Sequence, residues 1–139
     1  MAAGSTLRFT LRLRVGPEAP RAARHCLASL EPHIEPETYE RSQLLITELV
    51  TNSLRHGELP RDARITVSVV VDRRCVRVEV SDPGGGFDAD RALVRERTTR
   101  EGGWGLHLTD SLARRWGVIR GTRTTVWFEL ERPGVSAGV

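Results

Sequence analysis

Two β-rich runs lie nearly back to back in the middle of the chain, "RITVSVVV" at 64–71 and "CVRVEVSD" at 75–82. The "VDRR" between them reads as a short hairpin connection, which commits the pair to antiparallel pairing. Near the N-terminus, "TLRFTLRLRV" sets Leu7, Phe9, Leu11, Leu13 and Val15 alternately with polar residues, the period of a half-buried strand. "TTVWFEL" at 124–130 supplies a last strand.

Helical spacing fills the intervals. After "GPEAP" breaks the first strand, Ala22, Cys26, Leu27 and Leu30 predict a helix over 21–30, followed by a loop at "EPHIEPE". A long helix over about 37–56 carries Leu45, Ile46, Leu49, Val50 and Leu54 on one broad apolar arc, with Gly57 as C-cap and Pro60 blocking continuation. "GLHLTDSLARRWG" predicts a further amphipathic helix ending at Gly117. Residues 83–103, rich in Gly, Arg, Thr and acids, read as a long loop with a short helical piece near 89–95. Loops of that length in compact domains are commonly functional or disordered. Strands joined as neighbours, with helices gathered apart from them, predict an α+β two-layer sandwich. Its expected sheet is mixed but mostly antiparallel, with helices on one face. The 139 residues suit a single domain with a core over about 6–131 and a frayed tail at 132–139.

Composition excludes several classes. No apolar run approaches the roughly 20 residues that span a bilayer, and the N-terminus carries no charged start, long apolar stretch or cleavage site, so a cytoplasmic protein without a membrane is expected. All 21 Lys+Arg residues are Arg, and in the sequence they are scattered rather than clustered, which argues against direct nucleic-acid binding. With no Lys there can be no P-loop. The two cysteines, Cys26 and Cys75, have no metal-ligand neighbours at useful spacing and read as small core or near-surface residues. Trp104, Trp116 and Trp127 read as core or pocket-wall residues.

Three short stretches carry possible chemistry. In "ELVTNSLRHG", Glu48 and Asn52 stack one helical turn apart at the border of the apolar arc. Asn offers a carbonyl oxygen suited to a hard cation, and Glu can take a proton. Taken alone, the pair suits the waterline of an amphipathic helix equally well, and His56 continues the same side. "SDPGGGFD" puts Asp82 at a strand end, able to accept a hydrogen bond from an amino group. Its glycines let backbone approach a flat ligand, or simply make a turn. "EGGWGLHL" opens a helix with Gly102, Gly103 and Gly105, where free backbone N–H groups suit phosphate, or a hinge. Together the three describe one coherent site for an adenine-like base and its phosphates.

As a set these stretches resemble the ATP-binding (Bergerat) fold shared by gyrase, heat-shock chaperone ATPases, mismatch-repair ATPases and sensor histidine kinases. "ELVTNSLRHG" looks like that family's N box, "DPGGGF" its first glycine box and "GWGLHL" its second. "GTRTTVWFEL" is similar to the closing box but departs from the usual G-x-G-T. The "ELVTN…HG" and "GGWGLHLTDSLARRWGV" wording resembles the bacterial anti-sigma-factor serine/threonine kinases. The resemblance implies ATP and Mg²⁺ as cofactors, with Asn52 as the metal ligand. It assigns Asp82 to the adenine amino group and Gly84 and Gly86 to the shape of the adenine pocket. Gly103, Gly105 and Leu106 would bring backbone to the phosphates, and Thr125 belongs to the closing box. Glu48 would be the general base, and the loop with Arg95, Arg97 and Arg100 a lid. A small antagonist protein, a sigma factor and a second copy of the chain are the implied partners. A binding module that holds ATP without phosphotransfer, or a simple ATPase, fits the same residues.

Overall fold

A computed structural model describes residues 6–56, 58–84 and 104–133. Five strands form one sheet: β1 (Leu7–Arg14), β2 (Arg64–Val71), β3 (Cys75–Asp82), β4 (Arg115–Arg120) and β5 (Thr124–Glu131). They lie in the order β1-β2-β3-β5-β4. Every pairing among the described residues is antiparallel, in keeping with the mostly antiparallel sheet expected from the sequence and with no parallel pair among them. Three α-helices complete the described elements: α1 (Ala19–Cys26), α2 (Pro36–His56) and α3 (Trp104–Leu112). A 3-10 helix at Leu27–His33 continues α1.

The central hairpin forms where the alternation put it. Asp72 Oδ1 accepts from the backbone N–H groups of Arg74 and Cys75 at 2.7 and 2.8 Å, closing the connection. Period two then sends Ile65, Val67, Val69 and Val71 of β2, with Val76, Val78 and Val80 of β3, to the buried face. Val126, Phe128 and Leu130 of β5 share that face. Ala23, Leu27 and Leu30 meet it from the first helical segment, and Leu45, Ile46, Leu49 and Val50 from α2. Each such Val, Leu or Phe contributes about 1.5–3 kcal/mol when taken out of water, so this seam between sheet and helices holds the fold. Ala19 and Ala23 are the core residues of α1, whereas Ala22 faces solvent.

Two elements differ from expectation. The helix predicted to run to Gly117 ends at Leu112, and Arg115–Arg120 is β4. The cause is tertiary. The Arg114 N–H donates to the Glu129 carbonyl at 2.8 Å, and the Arg115 guanidinium pairs with the Glu129 carboxylate at 2.7 Å. Trp116 lies opposite Phe128 on the core side. These cross-strand bonds outcompete another helical turn. The second difference is Arg132, expected in a frayed tail. Its side chain pairs with Glu35 at 3.1 Å and donates to the carbonyls of Asp72 and His33. The Glu35 carboxyl is opposed by its own burial, yet Arg132 holds it below the ordinary carboxylate range. Gly57, the segment 85–103 with its helical piece at 89–95, and residues 134–139 lie outside the described residues.

The outer face of the sheet gathers arginines that looked scattered in the sequence. The pleat places Arg8, Arg12 and Arg14 of β1, Arg64, Arg77 and Arg115 there, with Glu79, Glu129 and Glu131 among them. Trp127 lies on this face too, its ring 4.1 Å from the Arg77 guanidinium, so it is not a core residue. Cys26 and Cys75 are half-buried free thiols; burial pushes Cys26 up to about 11. No helix among the described residues is long and apolar enough to cross a membrane.

Candidate functional site

Strand β3 ends its apolar row Val76, Val78, Val80 with a carboxylate. Asp82 lies on the same buried face and is only 4% exposed. Nothing cationic pairs with it among the described residues. One carboxylate oxygen, Oδ1, accepts the Gly84 N–H at 2.8 Å, which folds the chain back over Pro83. The Thr124 hydroxyl, from the strand position directly opposite Asp82, donates to the Gly84 carbonyl at 2.7 Å. Asp82, Gly84 and Thr124 thus lock one another. No other described residue donates to the carboxylate, whose second oxygen can accept an incoming donor.

Helix α2 brings the second group. Asn52 is 3% exposed, and its Nδ2 has no hydrogen-bond partner among the described residues. Buried polar atoms are almost always satisfied, so an unpartnered amide N–H marks a place that an acceptor would fill. Glu48, one turn earlier, is half-buried, and no ion pair or hydrogen bond joins it to another described residue.

The chain direction puts these groups at one end of the molecule. A cavity of about 350 Å³ at the far end is walled by Thr38 of α2, Leu112 of α3 and Leu130 of β5. From Thr38 to Asn52 the helix advances about 21 Å. From Leu130 back to Thr124 the strand covers about 20 Å. By rise alone, Asn52 lies about as far from that cavity as the rung formed by Asp82 and Thr124 does, while α3, advancing only about 12 Å from Leu112 back to Trp104, begins short of that level. Gly105 and Leu106 sit in the first turn of α3, whose backbone N–H groups have no intrahelical partner. Leu106 itself is wholly buried and anchors that turn to the core.

The structure joins Asp82 and Gly84 directly and places Glu48 and Asn52 on α2 and Gly105 and Leu106 at the start of α3, while Gly86, Gly103, Arg95, Arg97 and Arg100 lie outside the described residues. It does not bring in Thr125. That side chain leaves β5 on the outer face, opposite Ser81 and Ile119, and Thr124 is the hydroxyl at the site. The parity of β5 would have shown this if Phe128 and Val126 had been taken as the core row. The contiguous "VWF" hid it, because Trp127 is apolar and faces outward.

A family model for the histidine kinase-like ATPase domain matches residues 13–130. The chain belongs to that family. Family membership implies ATP binding. No curated protein matches the chain. Among solved structures, the RsbU and RsbW domains of Rv1364c from Mycobacterium tuberculosis align with a TM-score of 0.68 and 21% identity, over 91% of this chain and 33% of that one. The Acinetobacter baumannii histidine kinase AdeS aligns at 0.53 with 12% identity, over 91% of this chain and 68% of that one. At these identities the alignments establish the fold of this histidine kinase-like ATPase domain, which spans a third of the Mycobacterium protein.

Proposed function

We propose that this domain binds Mg·ATP at the Asp82 end of its sheet and acts as a serine/threonine kinase of the anti-sigma-factor type. Its acceptor would be a hydroxyl on a small antagonist protein, with a sigma factor as a further protein partner. The observation that carries the reading is a buried carboxylate, Asp82, with no cationic partner among the described residues, in a chain whose buried Asn52 Nδ2 is also without a partner among them. The sequence wording around Glu48 and at the start of α3, and a structural neighbour that contains an RsbW domain, point the same way.

Bound Mg·ATP would supply the phosphoryl group and the charge that neutralises the phosphates. Within the protein, the second Asp82 oxygen would accept the adenine amine while its partner oxygen keeps the Gly84 turn closed. Asn52 would offer its carbonyl oxygen to the metal, and its buried Nδ2, unpartnered among the described residues, would donate to a phosphate oxygen. The first turn of α3 presents backbone N–H groups to phosphate oxygens. Glu48, free of cationic partners among the described residues, takes the proton of the attacking hydroxyl.

Incubation with γ-labelled Mg·ATP and a candidate antagonist protein tests the transfer. The wild type should label the acceptor. Glu48→Ala should label it at least about a hundredfold more slowly, the scale of general-base catalysis, with ATP affinity little changed. Equal labelling by both proteins overturns Glu48 as base; ATP binding with no labelling leaves a binding module.

A further inference from the structure

At the corner of the sheet that carries Asp82, two ladders run out at different places. The β3–β5 ladder extends to the rung of Asp82 and Thr124. The β2–β3 ladder stops one residue earlier, at Thr66 and Ser81. Asp82 is therefore paired to β5 but not to β2, and Pro83, which follows, has no N–H to donate. Arg64 and Ile65 of β2 pair only with β1 at this level. A seam lies open beside the residue that the proposed function depends on most.

The side chain of Arg123 closes it. Its Nε donates to the Ser81 hydroxyl at 2.9 Å, and its Nη2 donates both to the Ser81 carbonyl at 2.9 Å and to the Arg64 carbonyl at 3.0 Å. One planar guanidinium thus replaces the missing ladder bonds between β2 and β3. It is anchored in turn by the tight β4–β5 connection, where the Gly121 N–H donates to the Arg123 carbonyl at 3.0 Å. Arg123 flanks Thr124 in sequence, and Ser81 flanks Asp82. The clamp grips both strands of the adenine rung from the outer face.

We infer that Arg123 is a positioning residue for base recognition: by tying β2, β3 and β5 together behind Asp82, it fixes the carboxylate that accepts the adenine amine. This rests on the proposed function, since it assigns Asp82 to the base. The guanidinium touches no nucleotide; it acts through Ser81 and the backbone. The closing box of this chain reads "GTRTT", so its Arg takes a place where a smaller residue would leave the seam open.

The test compares binding of ATP with binding of inosine triphosphate, which carries a carbonyl in place of the exocyclic amine, by titration calorimetry of the whole chain. Wild type should prefer ATP by about tenfold or more, the worth of a hydrogen bond to a buried charged acceptor. Arg123→Ala should lose most of that preference, falling to within about threefold, because a loosened carboxylate no longer discriminates. Arg123→Lys, whose ammonium can still reach the carbonyls, should recover part of it, and also serves if the alanine variant does not fold. A purely structural role would weaken both nucleotides alike and leave the ratio where it was; that result overturns the inference. A wild type that binds the two nucleotides equally overturns the assignment of Asp82 to the base, and this inference with it.

Discussion

Replacing Thr124 by Val removes one hydroxyl and almost no volume. The lost bond is the 2.7 Å donation to the Gly84 carbonyl. Thr124 is 4% exposed, so water cannot take the donor's place and the carbonyl loses its partner. Stranding such a group costs about 1–3 kcal/mol. In a domain of this size each kcal/mol moves Tm by about 3 °C, which predicts a fall of about 3–9 °C for the unliganded protein. Thr125→Val is the internal control. Its hydroxyl faces the open side of the sheet, and a substitution there should stay within about 0.5 kcal/mol. Thermal unfolding followed by circular dichroism reads both. A Thr125→Val protein that loses more stability than Thr124→Val would refute the parity of β5 and the turn built on it.

Three further outcomes are expected. Gly117→Ala should destabilise by about 1–3 kcal/mol, because a Cβ there would sit 2.9 Å from Trp127 Nε1; combining it with Trp127→Leu should recover much of the loss in urea titrations. Glu129 is held below the ordinary carboxylate value by the Arg115 hydrogen bond, against the cost of burial, with Arg77 adding to it. Because its folded value is depressed, its stabilisation is present above the unfolded value of about 4.3 and is lost as pH falls through the folded one; the urea midpoint should drop below about pH 4.5, and less steeply in Glu129→Gln. Asn52→Leu should leave the unliganded Tm equal or higher, since it removes an orphaned amide, yet it should abolish any gain in nucleotide affinity on adding Mg²⁺.

The hairpin, the first strand and the long helix were legible because their periods were unbroken. Val-rich alternation over β2 and β3 has only one way to bury itself, and their bounds agree with the sequence reading at both ends. Strand β4 was not legible. Leu108, Leu112 and Trp116 keep a helical spacing, and what ends the helix is Glu129, whose backbone and carboxylate capture Arg114 and Arg115 from the next strand. Arg132 failed for a similar reason: its partners Glu35, His33 and Asp72 are remote in sequence. In the site, Asp82 could be placed by its strand, but the choice between Thr124 and Thr125 required the register against β3. Arg123 carried no local signal at all, since its role follows from where two ladders stop.

The central claim is that the carboxylate of Asp82 receives a nucleotide base. Calorimetric titration of the purified chain with Mg·ATP, wild type beside Asp82→Asn, tests it most directly. The asparagine can still accept the Gly84 N–H and keep the turn, but it turns a donor toward the adenine amine in place of the free carboxylate oxygen. Saturable binding by the wild type, weakened by about tenfold to a hundredfold or more in Asp82→Asn at unchanged Tm, is the expected result. Equal affinity in the two proteins, or no binding by a folded wild type, would contradict it.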